Sequence, residues 1–330
     1  MPNQRQPFSI AILDDYQNVA LSMADWSSLG QRPAITVFND HLVVPDAIVQ
    51  RLLPFDVVCV MRERTPLPRA TIERLPRLRL IASTGRANVS IDVEAARHRG
   101  IEVLNTGFVP TTATELTWAL ILASTRQLVG EVESLRAGAW QRGFGEDLAG
   151  QTLGILGLGN IGSRVACVGK AFSMSVIAWS ENLTAERAAE VGVECVSKKE
   201  LFGRADILSI HLVLSDRTRG LVSATDLALM KPTARLVNTS RAQILVEADL
   251  ILALQTRKIA GAALDVFDEE PLPAQHPFRT LPNVLATPHI GYVSRAAYRR
   301  FYQDTVENIR NWLDVRRPTI RSSRNGGGQI

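Results

Sequence analysis

The segment TLGILGLGNIG, residues 152–162, decides the fold, because an apolar strand runs into a glycine-rich turn and then into a helix. Gly157 permits the tight turn, Gly159 lets a pyrophosphate approach the backbone, and Gly162 lets the helix pack closely on the strand. Such a helix begins with unpaired N–H groups, which bind phosphates. A glycine-rich turn without a ligand can have the same letters, but the flanking strands and helix favour a dinucleotide site.

Length and composition indicate a globular protein of two domains. The chain has 330 residues, of which 46% are hydrophobic and 21% are charged, and its apolar runs are too short for a membrane span. The N-terminus lacks the basic region and cleavage site of a signal peptide. The cysteines Cys59, Cys167 and Cys195 have no metal-ligand spacing. We therefore expect packed thiols, no metal site and a cytoplasmic location.

The basic charge favours small anionic substrates over nucleic acid. The formal net charge is +4, yet only five of the 37 basic residues are lysines. The arginines are scattered, without interleaved aromatic residues or a DNA-binding motif, so we predict no nucleic-acid partner and no membrane partner. A positive field of this kind attracts small anions.

Strands and helices alternate in two separate series, which is the pattern of parallel sheets with crossover helices. The first series has strands at Phe8–Leu13, Ile35–Phe38, Asp56–Met61 and Arg79–Ser83. A capping box at Thr112-Ala113-Thr114-Glu115 then predicts one long apolar helix to about Arg136. The second series has strands at Thr152–Leu156, Ser175–Ala178, Asp206–Ile210, Arg235–Asn238, Ile259–Leu264 and Val284–Ala286. The last helix, from about Ser294 to Leu313, can return to either domain.

Polar side chains follow the strand ends of the second series. Arg241, Asp265 and His289 each come just after a strand, and Glu270 lies in the loop after Asp265. Ligands of open parallel sheets bind outside the carboxyl ends of the strands. Taken singly, each residue has an ordinary structural explanation, as a surface arginine, a loop acid or a turn histidine. Their shared edge beside a dinucleotide motif favours a catalytic site.

These motifs resemble the D-isomer-specific 2-hydroxyacid dehydrogenase family, which includes phosphoglycerate, glycerate and D-lactate dehydrogenases. The resemblance covers nearly the whole chain and is most specific at Gly150–Gly162, Met230–Leu250, Leu264–Pro271 and Thr287–Gly291. It implies an α/β protein of two doubly wound parallel sheets. A Rossmann NAD-binding domain, residues 103–292, would be inserted into a flavodoxin-like substrate-binding domain, residues 1–102 plus 293–330.

The catalytic trio of the family falls on Arg241, Glu270 and His289. The resemblance implies an NAD-dependent oxidoreductase that interconverts a D-2-hydroxy acid and its 2-keto acid. A phosphoglycerate dehydrogenase-like activity is one of the activities in this class. His289 would be the acid/base, and Glu270 would fix its tautomer. Arg241 would polarise the keto group and hold the adjacent carboxylate. Asp265 would orient the nicotinamide carboxamide.

Other site residues are implied by the same resemblance. Backbone N–H groups at Gly85, Arg86, Ala87 and Asn88 would hold the substrate carboxylate in an interdomain cleft. Arg62 would reach the far end of the substrate, although a solvated basic loop explains it equally well. The cofactor would contact Gly157, Gly159, Asn160, Ile161, Gly162, Ser180, Glu181, His211, Thr239 and Asp265. The chain departs from the family pattern at Arg86, where many relatives have a small or apolar residue, at Ala242 for glycine and at Glu247 for aspartate.

The end of the strand after the glycine motif predicts NAD rather than NADP. Ser180 stands in place of the usual ribose-binding aspartate, and Glu181 stands where NADP-preferring relatives carry arginine. A carboxylate close to a 2′-phosphate repels it, and Arg187 is the only nearby cation in the sequence that could offset this. We expect Glu181 to bind the ribose hydroxyls with help from Ser180.

The apolar helix that begins near Thr112 also predicts how the protein assembles. The long helix from Thr112 has apolar residues on more than one face: Leu116, Trp118, Leu120, Ile121 and Leu122. Relatives dimerise through this region, so we predict a symmetric homodimer. A dinucleotide-sensing corepressor of the same fold is the alternative, and a structural dinucleotide-binding protein without turnover is a third. Both rank below the enzyme because the catalytic trio is intact, and the corepressor also because no long C-terminal extension is present.

Overall fold

The computed structural model describes residues 8–30 and 33–316 of the chain. The chain divides into two compact units, Met1–Phe108 with Arg295–Ile330, and Val109–Ser294. Within the described residues, no helix is both long enough and apolar enough to cross a membrane.

Twelve strands and twelve α-helices occur in the described residues. The strands are β1 (Ser9–Ile12), β2 (Ala34–Val37), β3 (Val57–Val60), β4 (Leu80–Ser83), β5 (Glu102–Asn105), β6 (Thr152–Leu156), β7 (Ser175–Trp179), β8 (Glu194–Cys195), β9 (Ile207–Ile210), β10 (Arg235–Asn238), β11 (Gly261–Leu264) and β12 (Val284–Ala286). The helices are α1 (Ala20–Met23), α2 (Pro45–Leu52), α3 (Arg69–Ile72), α4 (Val93–His98), α5 (Pro110–Thr125), α6 (Leu128–Arg136), α7 (Asn160–Ala171), α8 (Ala185–Glu190), α9 (Lys198–Arg204), α10 (Ala224–Leu227), α11 (Glu247–Gln255) and α12 (Arg295–Arg316).

The first unit is built on a parallel five-stranded sheet in the order β2-β1-β3-β4-β5. This is the flavodoxin-like order. β3 and β4 are buried along their whole length, as expected of central parallel strands whose two faces are covered by helices. The last helix, α12, packs on α1 and β4 of this unit.

The second unit is built on a parallel seven-stranded sheet in the order β12-β11-β10-β9-β6-β7-β8. Counted from β6, the order is that of the Rossmann fold with one additional strand. The chain reverses its direction of winding between β6 and β9, so the carboxyl ends of these strands flank the switch point. The predicted α/β fold class, with two doubly wound parallel sheets, is confirmed.

The long helix predicted from the Thr112 capping box was wrong in two respects. Pro110 occupies the first turn of α5, whose N-cap is Val109 without a side-chain cap, because proline has the φ angle that a first helical residue needs. The Thr112 hydroxyl lies 3.3 Å from that of Ser294 instead. The helix also ends at Thr125, and Gln127, with φ of +50°, separates α5 from α6.

The predicted apolar outer face of this helix was also placed too early. Trp118, Leu120 and Ile121 are buried, and Leu122 is 36% exposed. The exposed large apolar side chains lie on α6 and in the segment after it: Leu128, Val129, Val132, Leu135, Trp140 and Phe144. The turn at Gln127 redirects the chain, which the sequence pattern did not indicate.

Two strands were absent from the sequence prediction. β5, at the edge of its sheet, has two half-buried residues between two exposed ones, and β8 has only two residues. In the structure, the boundaries between the two units lie after Phe108 and after Ser294. The boundaries predicted from sequence were 102/103 and 292/293. Residues 317–330 of the predicted C-terminal part lie outside the described residues.

Candidate active site

His289 and Glu270 form a close pair at the carboxyl edge of the second sheet. His289 follows β12, and its Nδ1 lies 2.6 Å from Glu270 Oε2. The other carboxylate oxygen of Glu270 accepts the backbone N–H of Phe267 at 2.9 Å, which fixes the orientation of the carboxylate. A carboxylate on Nδ1 holds a proton there and directs the proton-exchange chemistry of the ring to Nε2. The pair can therefore act as an oriented acid/base.

The backbone at His289 has an uncommon conformation. Its φ is +50°, in the left-handed region that costs free energy for residues with a Cβ. The two following N–H groups, of Ile290 and Gly291, donate to the carboxylate of Asp265 at 2.8 and 2.7 Å. Asp265 thus stabilises the turn that presents the imidazole.

Asp265 is fully buried after β11. Its carboxylate also accepts the Thr287 hydroxyl at 2.6 Å. Burial raises the pKa of Asp265, and the hydrogen bonds from Thr287 and Ile290 oppose that shift. The three donors all belong to the loop around His289, a contact that sequence reasoning did not anticipate when it gave Asp265 the nicotinamide carboxamide. A carboxylate has about four acceptor positions, so its chemistry permits one more donor.

Arg241 follows β10 in a turn that a buried amide closes. Asn238 Nδ2 donates to the carbonyl of Arg241 at 2.9 Å, and Asn238 Oδ1 accepts from the N–H of Ser240 at 3.0 Å. Arg241 is half-buried, and its guanidinium donates to the carbonyl of Ser240 at 2.7 Å. Sequence reasoning missed Asn238, although an amide as the last residue of a buried strand is a usable signal, because buried polar groups need partners.

Thr239 joins this turn to α5. Its hydroxyl lies 2.8 Å from that of Thr117. The strands β10, β11 and β12 are neighbours in the sheet and pair in that order. Arg241, Asp265 and His289, which follow these strands, therefore lie at neighbouring strand ends.

The glycine turn has the geometry of a phosphate cradle. Gly157 has φ of +104°, and a Cβ there would lie 2.9 Å from the backbone of His211. A Cβ at Gly162 would lie 2.1 Å from the carbonyl oxygen of Gly157, whereas a Cβ at Gly159 would meet nothing within 4 Å. The first turn of α7 lacks a side-chain cap, so its N–H groups are available to phosphates. These residues fit a dinucleotide.

Asn160 and Ile161 begin α7 beside this open space. Asn160 is exposed, Ile161 is half-buried, and Asn160 Oδ1 accepts from Arg164 Nε at 3.2 Å. His211 follows β9 on the other side of the turn, where its Nε2 lies 2.8 Å from the hydroxyl of buried Ser209. Burial lowers the pKa of the His211 imidazole to about 4, so this ring is neutral at ordinary pH.

Ser180 and Glu181 directly follow β7, next to the glycine turn. The N–H of Gly157 donates to the carbonyl of Trp179 at 2.9 Å, which holds the two segments together. Ser180 is half-buried and Glu181 is exposed. Arg187, the cation considered as an offset to Glu181, makes an exposed ion pair with Glu190. Its charge is therefore already partly neutralised.

The first unit carries the loop predicted to bind the substrate carboxylate. Gly85 has φ of +90°, and the Arg62 guanidinium fills the space where its Cβ would be. The N–H of Gly85 donates to the Thr106 hydroxyl at 2.8 Å, and the Asn88 amide donates to the carbonyl of Arg62 at 2.6 Å. The Gly85 N–H and the Asn88 side-chain amide therefore form hydrogen bonds that stabilise the loop.

Two arginines, Arg86 of the loop and Arg62, have side-chain partners here. The guanidinium of Arg86 lies 4.3 Å from the centre of the Phe108 ring, a cation–π contact that fixes an otherwise exposed side chain. Arg62 lies 3.5 Å from the Glu63 carboxylate, with both side chains 19% exposed. Ala87 is exposed. This half-buried pair disfavours the interpretation of Arg62 as part of a solvated loop.

Comparisons with known proteins agree on one family. Residues 118–291 match the model of the D-isomer specific 2-hydroxyacid dehydrogenase, NAD binding domain. The chain is 45% identical to a glyoxylate reductase of Aeropyrum pernix over 72% of this chain and 74% of that protein. It is 38% identical to a D-3-phosphoglycerate dehydrogenase of Methanocaldococcus jannaschii over 81% of this chain, but spans about half, 52%, of that protein.

A solved structure covers nearly the whole chain. It is that of a phosphoglycerate oxidoreductase from Vibrio cholerae, with 40% identity and a TM-score of 0.89 over 93% of this chain and 99% of that chain.

Proposed function

The chain belongs to the D-isomer-specific 2-hydroxyacid dehydrogenase family, and from this premise we propose that it interconverts a D-2-hydroxy acid and its 2-keto acid with His289 as acid/base. The observation that carries the proposal is the 2.6 Å contact between His289 Nδ1 and Glu270. A carboxylate at that nitrogen holds the ring proton on Nδ1 and leaves Nε2 to exchange a proton with the substrate oxygen. A bound nicotinamide dinucleotide supplies or accepts the hydride at C2.

Arg241 is the electrophilic partner in this proposal. Its planar fork matches a carboxylate and a neighbouring keto oxygen, and its fixed charge stabilises negative charge that develops on that oxygen. The Asn238 amide holds the turn from which the guanidinium projects. Asp265 keeps the His289 turn in its left-handed conformation and has one acceptor position for a nicotinamide carboxamide.

Substrate binding in the first unit is proposed for the Gly85–Asn88 loop. Arg86, Ala87 and Asn88 supply its backbone N–H groups, while the N–H of Gly85 is bound to Thr106. Arg62, which fills the space beside Gly85, and Arg86 bring two arginines to this loop, and the Glu63 carboxylate 3.5 Å from Arg62 offsets part of their charge. Such a loop suits a small anionic acid, and a phosphorylated 2-hydroxy acid is one member of that class.

The preferred cofactor is proposed to be NAD. Ser180 and Glu181 end the strand beside the glycine turn, and the Arg187–Glu190 ion pair reduces the positive charge available to a 2′-phosphate. The residues proposed to hold the dinucleotide are Gly157, Gly159, Asn160, Ile161, Gly162, Ser180, Glu181, His211, Thr239 and Asp265.

We propose a homodimer in the cytoplasm as the working form. The exposed apolar side chains of α6 and the following segment, with Trp140 72% and Phe144 93% exposed, are the physical argument for a covering partner. A monomer mass in sedimentation at micromolar concentration contradicts the dimer.

Turnover of a panel of acids tests the proposed function. Purified protein is assayed by NADH absorbance with glyoxylate and branched 2-keto acids, and in the oxidative direction with glycerate and 3-phosphoglycerate. His289→Ala is expected to lower kcat by about 10²–10⁴-fold, the usual loss for a removed acid/base. His98→Ala, at an exposed position of α4, is the matched control.

The outcome also separates the enzyme from a dinucleotide-sensing protein. Tight NADH binding without turnover of any acid in the panel favours the sensor. A His289→Ala variant with nearly normal kcat on a verified substrate removes His289 from the mechanism.

A further inference from the structure

The two ring nitrogens of His276, in the loop between Glu270 and β12, have different partners. Nδ1 accepts the backbone N–H of Phe278 at 3.2 Å, and Nε2 lies 3.1 Å from Glu247 Oε1. Because Nδ1 is an acceptor, the ring proton is on Nε2 and is donated to the carboxylate. The side chains of His276 and Glu247 are only 14% and 26% exposed, so this hydrogen bond is largely shielded from water.

Glu247 connects this hydrogen bond to the segment of Arg241. It is the first residue of α11, and only a 3₁₀ turn, Ala242–Ile244, and two residues separate α11 from Arg241. Burial and the Glu247 charge raise the pKa of Asp268, whereas Arg219 and His276 lower it. The Nε2–H of His276 donates to the Glu247 carboxylate and holds it in place.

On the other side, His276 connects to the loop of Glu270. Its ring packs 4.9 Å from that of Phe278, which in turn lies 6.3 Å from the ring of Phe267. Phe278 and Phe267 are both buried. The N–H of Phe267 is the donor that orients Glu270. Two packed rings and one backbone hydrogen bond thus connect His276 to the Glu270 carboxylate.

We propose that His276 is a positioning residue, which ties the Arg241 segment to the Glu270 loop through Glu247. This inference rests on the proposed function for its effect on rate, although the tie itself is independent of any reaction. The guanidinium and the imidazole come from different strand ends, so their spacing depends on such contacts between loops. Displacement of a reacting group by about 1 Å costs on the order of 10²-fold in rate.

Two measurements test the tie. His276→Leu removes both hydrogen bonds, whereas His276→Gln retains an amide that can donate to Glu247. In hydrogen exchange, His276→Leu is expected to increase deuterium uptake in peptides covering residues 241–250 as well as residues 266–281. In turnover, it is expected to lower kcat about tenfold with an unchanged Kd for NADH, because an imperfectly placed pair slows the chemical step.

The conservative and double variants separate positioning from a general loss of structure. His276→Gln is expected to recover most of kcat, and Glu247→Ala is expected to cause little further loss once His276 is leucine, since coupled residues are not additive. His98→Leu is the matched control and is expected to behave as wild type in both measurements.

Three results overturn the inference: faster exchange confined to the 266–281 loop, a kcat of His276→Leu equal to that of wild type, or additive losses in the double variant. If the wild-type protein turns over none of the acids, the proposed function fails. The hydrogen-exchange measurement then tests the connection between the Arg241 segment and the Glu270 loop independently of activity.

Discussion

Alanine substitutions at two glycines of the phosphate turn should affect different properties: Gly162→Ala should lower stability, and Gly159→Ala should weaken cofactor binding. At Gly162, a Cβ would lie 2.1 Å from the carbonyl oxygen of Gly157. The neighbour is backbone, so the turn or α7 has to shift by about 1 Å, and overpacking of this kind typically costs about 1–3 kcal/mol. The better helix propensity of alanine returns up to about 1 kcal/mol. Gly162→Ala should therefore destabilise the second unit by about 2 kcal/mol.

Gly159→Ala is the matched substitution. A Cβ there meets no atom within 4 Å, and φ of −84° suits any residue. Alanine is a poorer N-cap than glycine, but it also restricts the unfolded chain, and the two effects nearly cancel. The new methyl group does occupy the space where a pyrophosphate would approach. We expect stability to change by less than about 0.5 kcal/mol and NADH binding to weaken by at least about tenfold, or ~1.4 kcal/mol.

Thermal unfolding and a fluorescence titration with NADH measure the two effects separately. About 2 kcal/mol corresponds to a fall in Tm of ~4–8 °C for a unit of this size, which is expected for Gly162→Ala only. Equal Tm losses in both variants, or normal NADH binding by Gly159→Ala, would refute the assignment of the open space at Gly159 to the cofactor.

Three further predictions follow from the same site. Arg241→Ala should raise KM and lower kcat together, because in the proposed mechanism the guanidinium binds both the carboxylate and the keto oxygen, and Arg241→Lys should recover only part of the loss; an effect on KM alone contradicts the electrophilic role. Glu181→Arg should shift the ratio of kcat/KM for NADH over NADPH by about tenfold or more toward NADPH, since it replaces repulsion by attraction at the 2′-phosphate, and no gain with NADPH would remove Glu181 from the ribose site. His211, whose pKa falls from an ordinary 6.5 to about 4 on burial, binds a proton more readily in the unfolded chain. Stability should therefore fall as the pH drops from about 6.5 to 4, by up to about 2–3 kcal/mol, and the pH slope of urea unfolding should be smaller for His211→Gln; an identical slope contradicts the shift.

The sequence predicted ten of the twelve strands in the described residues, because each of the ten has a regular apolar run. The predicted strand positions of β6, β10 and β12 agree with the structure residue for residue. β5 and β8 were missed because only two adjacent apolar residues mark the first and a single Cys marks the second. The break between α5 and α6 depends on one left-handed residue, Gln127, for which no local sequence signal exists.

The candidate site shows the same limit. Residues that follow strand ends could be predicted as a group, because parallel strands end at one edge of the sheet. The contacts that orient them could not be predicted. Asn238 closing the Arg241 turn, Asp265 holding the His289 turn and the His276–Glu247 hydrogen bond all join residues whose proximity is set by the packing of loops.

The route of the chain through the two units has a consequence for biosynthesis. β1 to β5 are made first, but α12, which closes their unit, is made after the whole of Val109–Ser294. At about 5–20 residues per second, the ribosome needs roughly 10–40 s for the intervening segment. During that time, three hydrogen bonds between α12 and the rest of its unit cannot form. They join Gln17 to Tyr298, Gly107 to Asp304 and Asn105 to Asn308. The second unit is continuous in sequence and can fold on emergence, so the nascent chain can complete its later-made unit first, while the first unit lacks its closing helix until α12 has been made.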